Sequence, residues 1–135
     1  MIGAMAKKSA GKPQQKPLTA TELEMMNVLW RLGPSSVHQV VEALRPQREL
    51  AYTSVSTIIR ILEQKGYVLS RKEGRGHLYE AAVAKEAYQV ASLQHLVSKV
   101  FDGTPTLLVQ RLVDSEQLDP EELDRIRRAL RKKDR

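Results

Sequence analysis

The chain has 135 residues, 41% apolar but only 4% aromatic, and its 22 Lys and Arg against 16 Asp and Glu give a net charge of +6. This length leaves no room for two large enzymatic domains, the shortage of rings calls for a core of Leu, Val, Ile, Ala and Met, and the charge favours a polyanionic partner, be it DNA, RNA or an anionic membrane. With no Cys there is no disulfide framework and no thiolate to act as nucleophile, metal ligand or redox sensor; no apolar run is long enough for a membrane span or a signal peptide, and a cytoplasmic protein is expected.

Residues 1–17 hold Lys7, Lys8, Lys12 and Lys16 without an acid, among Gly, Ser, Pro and Gln, and read as a disordered basic arm. Order is expected from Thr19, where Thr19 and Glu22 form a T-x-x-E capping box. The first helix should run to about Leu32 with Leu23, Met26, Leu29 and Trp30 on one face, and Gly33 followed by Pro34 ends it. Ser36 and Gln39 make a second box before Val37, Val40, Val41 and Leu44, which predicts a short amphipathic helix stopped by Pro46.

A third helix is expected from Tyr52 or Thr53 to Lys65, with Gly66 as its cap. Val55, Ile58, Ile59 and Leu62 fall on one side of its wheel, and Thr53, Ser56, Thr57, Arg60 and Gln64 fall opposite. That outer face carries short hydroxyls, one Arg and one Gln. Such side chains can lie flush in a major groove and hydrogen-bond base edges or phosphates, whereas an ordinary solvated face is dense in Glu and Lys.

After Gly66 the period changes from helical to alternating. Tyr67 to Lys72 and His77 to Ala81 read as two strands joined by Glu73, Gly74, Arg75 and Gly76. Lys72, Arg75 and His77 at the tip would suit a wing pressed on a phosphate backbone, or simply a solvated basic hairpin. Three short helices followed by a basic hairpin is the winged-helix order.

From Ala84 the helical period returns. Tyr88, Ala91, Leu93, Leu96, Val97, Val100 and Phe101 form a stripe up to Gly103, and Leu107, Leu108, Val109, Leu112 and Val113 belong to a second helix. A third opens at Asp119-Pro120 with Leu123, Ile126 and Leu130 inward. Three short helices cannot bury this much apolar surface alone, so a homodimer is expected, with Leu93, Leu96, Val97, Val100, Phe101, Leu108, Leu112 and Ile126 in the contact.

The stretches LTATELEMMNVLW, LAYTSVSTIIRILEQKGYV and RKEGRGHLYEA resemble the penicillinase repressor family, the BlaI/MecI-type regulators, and the likeness runs from about Leu18 to Leu130. The resemblance implies a winged-helix domain, a C-terminal domain that dimerises, and repression from a dyad-symmetric operator, with antibiotic-resistance or stress genes as targets. It places Thr53, Ser54, Ser56, Thr57 and Arg60 on the operator, with Lys72 and Arg75 added by the wing. Family members often carry a second basic residue after the position of Arg60, where this chain has Ile61. The copper-responsive branch carries a Cys-rich tail, which this chain lacks. Members controlling β-lactam resistance are cut near an Asn-Phe bond by a membrane sensor-protease; the matching position is Val100-Phe101, without the Asn.

The expected fold is therefore mainly α with a small β-hairpin wing: a disordered arm at 1–17, a winged helix-turn-helix domain at 18–83 and a three-helix dimerisation domain at 84–135. No catalytic constellation or phosphate loop stands out, and His38, His77 and His95 show no metal-ligand spacing. Neither enzyme activity nor a metal, cofactor or small-molecule ligand is expected. The expected partner is double-stranded operator DNA. A winged helix used for protein assembly or for binding nucleic acid without sequence preference is the alternative.

Overall fold

The computed structural model describes residues 17–133. The basic segment expected to be a disordered arm lies, but for Pro17, outside the described residues. The element order is α1 (Ala20–Leu32), α2 (Val37–Leu44), α3 (Tyr52–Gln64), β1 (Val68–Glu73), β2 (Gly76–Ala81), α4 (Lys85–Val100), α5 (Pro105–Asp114) and α6 (Pro120–Lys133). The chain divides into two compact units between Ser92 and Leu93.

The first unit holds the core. Both expected capping boxes form: the Thr19 N–H donates to Glu22 Oε1 at 2.9 Å and the Glu22 N–H to Thr19 Oγ1 at 3.1 Å, while Ser36 and Gln39 exchange the same pair at 2.8 and 3.2 Å. Each box satisfies two of the N–H groups that a helix start leaves without an intrahelical acceptor. Met25, Met26, Val28 and Leu29 of α1 are buried with Val37, Val40 and Leu44 of α2, Val55, Ile59 and Leu62 of α3, and Tyr67, Val68, Tyr79 and Val83. The buried arc of α1 is wider than the Leu23, Met26, Leu29 and Trp30 face read from periodicity. Because α1 packs on α2, α3 and β2 at once, Met25 and Val28 are enclosed as well, and Leu23 and Trp30 sit at the margins, half-buried.

β1 and β2 pair antiparallel with Glu73 opposite Gly76 and Val68 opposite Ala81, which leaves Gly74-Arg75 as a two-residue turn. Gly74 has φ 59, the positive value that a type II′ turn requires at its first central residue. One further strand contact was not legible in the sequence. Ser35, in the α1–α2 connection, pairs with Tyr79 of β2 through N–H···O bonds of 2.9 and 2.8 Å in the two directions, tying the start of α2 to the hairpin.

The first unit runs past residue 83 because α4 docks on the core. The Trp30 indole donates to the Val83 carbonyl at 2.8 Å, and the Tyr88 ring lies 5.8 Å from Trp30 and 5.9 Å from Tyr67, edge-on to the latter. Few rings are available, and three of them meet here.

Glu22 has a second role. It is buried, yet its two carboxylate oxygens lie 3.0 and 2.8 Å from Nζ of Lys65, the C-cap of α3. Burial alone would raise its pKa, but the hydrogen bond from Lys65, the N–H of Thr19 and the Lys65 charge together outweigh it and hold the carboxyl below its ordinary value.

The second unit comprises the last part of α4 with α5 and α6. Pro105 occupies the first turn of α5, and Asp119 caps α6 in a third reciprocal box, with Asp119 N–H to Glu122 Oε1 at 3.1 Å and Glu122 N–H to Asp119 Oδ1 at 2.8 Å. Only the Asp119 cap and Pro120 were anticipated. None of these three helices contains a buried residue.

Glu22→Gln preserves the capping box, since Gln also serves at that position, and removes only the charge pairing with Lys65. It should destabilise the protein by about 1–2 kcal/mol at neutral pH, lowering Tm by several degrees in a thermal melt. A carboxyl whose folded pKa is depressed adds stability above its unfolded pKa, and that contribution disappears as the pH falls through the folded value. The gap between wild type and variant should therefore close on acidification; a gap independent of pH would rule out the ion pair as its source.

Candidate nucleic-acid interface

α3 is placed by its inner face. Val55, Ile59 and Leu62 are each at 0% exposure, which fixes the rotation of the helix and leaves the opposite stripe in solvent. Thr53, Ser54, Thr57, Arg60, Ile61 and Gln64 are exposed, and Ser56 is half-buried at the stripe's edge. Thr53, Thr57, Arg60 and Gln64 follow at intervals of four, three and four residues, so they line one strip of a helix about 20 Å long. The Thr57 hydroxyl donates to the Thr53 carbonyl at 2.9 Å, which holds its rotamer and leaves the oxygen lone pairs turned outward as acceptors.

No acid disturbs this strip. Glu63 is turned to the flank, where it accepts the Ser70 hydroxyl of β1 and joins the helix to the wing. Beyond α3, the Gly66 positive φ of 89 and the Tyr67 N–H bond to the Leu62 carbonyl at 2.9 Å reverse the chain into β1.

The cations of this unit fall into two classes. Arg45 is held by Glu42 and Glu49, Arg48 by Glu24, and Arg71 by Glu80 and, more distantly, Glu73. Arg60, Lys72 and Arg75 form no ion pair among the described residues. Lys72 stands cross-strand from His77, and Arg75 occupies the second position of the turn. Arg31 and Lys85, away from α3 and the hairpin, likewise form none among the described residues; within α3 and the wing, the singled-out Arg60, Lys72 and Arg75 are the unpaired cations, and Arg71, the wing cation not singled out, is neutralised within the hairpin.

Two features of this surface went unread in the sequence. Tyr52, the first residue of α3, is 45% exposed and its ring lies 4.6 Å from that of His38 on α2. The α3 N-cap, Ala51, offers no side-chain hydrogen bond to the first turn, so free N–H groups point out beside Tyr52. An aromatic directly after an uncapped start was the available signal. Ile61 is 38% exposed, on the same side of the helix as Thr57 and Gln64. No cluster of His, Cys, Asp or Glu among the described residues could hold a metal ion.

In the second unit, Leu93, Leu96, Val100 and Ile126 are 48%, 39%, 62% and 47% exposed, and Val97, Phe101, Leu108 and Leu112 are half-buried. Leu93, Val97, Pro105, Leu108 and Val109 border an open, apolar groove between α4 and α5 of about 460 Å³. Val100 ends α4, and the Phe101–Gly103 turn follows it with Asp102 and Gly103 at positive φ.

Residues 18–132 match the family model described as penicillinase repressor. The Methicillin resistance regulatory protein MecI of Mammaliicoccus sciuri is 26% identical over 86% of this chain and 94% of its own length, and the transcriptional regulator BlaI of Mycobacterium tuberculosis is 32% identical over 81% and 79%. Among solved structures, the Bacillus licheniformis BlaI monomer in complex with the blaP half-operator is 24% identical, covers 56% of this chain and 93% of its own, and has a TM-score of 0.48. A family model that spans nearly the whole described chain, on a fold of three short helices and a hairpin, means that this chain belongs to the penicillinase repressor family of BlaI/MecI-type DNA-binding transcriptional repressors.

Proposed function

We propose that the protein represses transcription as a homodimer on a dyad-symmetric operator, each protomer setting α3 in a major groove. The observation that carries this reading is the outer strip of α3: acid-poor, built of short hydroxyls, and centred on an Arg60 that no carboxylate among the described residues neutralises. Arg60 is the residue for bidentate contact with a guanine edge, and Thr53, Ser54, Ser56 and Thr57 are short enough to let the helix backbone approach. Lys72 and Arg75 meet the phosphate backbone beside it, a contact that sets register and not sequence. Residues 18–83 supply this reading surface and residues 84–135 the assembly.

The dimer is formed by the C-terminal helices through Leu93, Leu96, Val97, Val100, Phe101, Leu108, Leu112 and Ile126. What supports it is that these helices bury no residue within the protomer, a condition a short helical unit leaves by association. Pairing also raises the effective concentration of the second half-site. Cleavage between Val100 and Phe101 by a membrane sensor-protease, or another signal, would relieve repression by parting α5 and α6 from the DNA-reading unit; Val100 lies in solvent at the end of α4.

In a gel-shift comparison of a dyad-containing promoter fragment with its scrambled counterpart, wild type should prefer the dyad. Arg60→Ala should reduce that preference by about tenfold or more, while Arg75→Gln should weaken both complexes alike and lower the salt slope by about one for each protomer bound. Equal wild-type affinity for the two fragments would sink sequence-specific repression. Leu96→Asp alters a side chain already exposed in the protomer, so the fold should persist; sedimentation equilibrium should show a dimeric wild type and a monomeric variant, and an unchanged mass would exclude this face from the contact.

A further inference from the structure

The last ten described residues of α6, from Asp124 to Lys133, contain six cations, Arg125, Arg127, Arg128, Arg131, Lys132 and Lys133, and one acid. Asp124 lies 3.9 Å from Arg127 and its backbone carbonyl accepts from Arg128 Nε at 3.4 Å; no other ion pair forms on this segment among the described residues. The helix dipole accounts for cations in the final turn, where they face the carbonyl end, and its effect fades within that turn. Arg125, Arg127 and Arg128 lie farther back. Like charges four residues apart, as in Arg127 with Arg131 and Arg128 with Lys132, disfavour the helix, so the cluster is a standing repulsion that a polyanion would relieve.

The position of the cluster on the helix separates it from self-association. Leu123, Ile126 and Leu130 form the apolar stripe of α6, and at 100° per residue Arg128 lies about 170° around from the centre of that stripe. Covering the stripe with a second copy would leave Arg125, Arg128, Arg131 and Lys132 in solvent. Four of the six cations are Arg, the side chain whose planar fork matches a phosphate, and the apolar side carries no ring of the kind that anchors a helix at a membrane interface.

We propose that the basic face of α6 is a second surface for the phosphate backbone of duplex DNA, distinct from α3 and the wing and carrying no sequence information. The proposal rests on the DNA-binding reading above. It adds to affinity for any duplex and makes binding more salt-sensitive, because each phosphate neutralised releases condensed counterions.

The test is fluorescence anisotropy of the full-length protein across a salt series, with a duplex selected from a random pool by the protein itself and a scrambled duplex. In Arg125→Gln/Arg128→Gln/Arg131→Gln the log–log salt slope should become shallower by about 2–3 for each protomer bound, on both duplexes, so that wild type loses about 40-fold more affinity per protomer than the variant between 50 and 200 mM salt. The ratio between duplexes and the sedimentation mass should stay the same. The matching Arg→Lys triple should keep the wild-type slope, which separates charge from a damaged helix. A Gln triple with the wild-type slope overturns the proposal, as does a slope change that accompanies a change in mass or appears equally in the Lys triple. Binding of phosphatidylserine vesicles lost in the Gln triple, with the DNA slope unchanged, overturns it in favour of a membrane. Equal wild-type affinity for the two duplexes would defeat the sequence-specific reading instead, with the slope comparison still decisive for α6.

Discussion

The rest of the first unit depends on the complete burial of one side of α3. A helix that places Val55, Ile59 and Leu62 out of water gains on the order of 1.5–3 kcal/mol from each, and no rotation of a few tens of degrees preserves that gain. The outer strip is thus aimed by the core and not by any contact of its own. The Glu22–Lys65 pair supplements this constraint at one end. It attaches the C-cap of α3 to the first turn of α1, and because Glu22 simultaneously closes the α1 capping box, the position of α3 and the start of α1 are set by one carboxylate. At that same end the Ser70–Glu63 contact and the tight turn at Gly66 hold the hairpin to the helix. The exposed strip of α3 and the cations of the wing are therefore referred to a single packed layer.

Much of this was legible because the local signals agreed with one another. The boxes at Thr19 and Ser36, the glycines at 33 and 66, and the switch from a helical to an alternating period each depend on neighbours a few residues away, and the structure places α1, α2, α3 and the hairpin where those signals do. What escaped depends on partners distant in sequence. Ser35 looks like a loop residue, and its bridge to Tyr79 exists only once the hairpin has folded back over α2. Met25 lies beside Leu29 on the side of the wheel away from Leu23 and Trp30, and becomes core because the packed elements cover that side of α1. The indole bond from Trp30 to Val83 joins residues separated by 53 positions. Of the candidate interface, the residue types and their helical phase were readable, but the distinction between Arg71 and the unpaired Lys72 and Arg75 was not, since it turns on Glu80 reaching across the strands.

The two units differ in how far each is completed by its own chain. Fourteen apolar residues are buried in the described chain and every one precedes Ser92, while Leu93, Leu96, Val100, Ile126 and Leu130 in the second unit remain 39% to 62% exposed. The two halves thus use apolar residues for different ends, and the division follows from packing geometry. α1, α2, α3 and the hairpin meet around a shared centre, so each element can be covered on its inner face by several others. α5 and α6 carry apolar stripes but bury no residue among the described ones.

That contrast bears on how a small charge excess is deployed. On the proposed reading, a surface with one unpaired Arg on its helix and two unpaired cations on its wing would make few phosphate contacts per protomer, and non-specific affinity scales with that number. On the proposed reading, the deficit is met in two ways that do not alter the α3 strip: pairing of protomers multiplies the contacts through effective concentration, and the cations of α6 add backbone contacts from an element that reads no bases. Keeping these contributions off α3 has a physical rationale. Cations added to the recognition strip would raise affinity for every sequence, and discrimination is the difference between affinities rather than their size. The acid-poor, hydroxyl-rich strip around Arg60 is suited to discrimination because it contributes little to indiscriminate attraction.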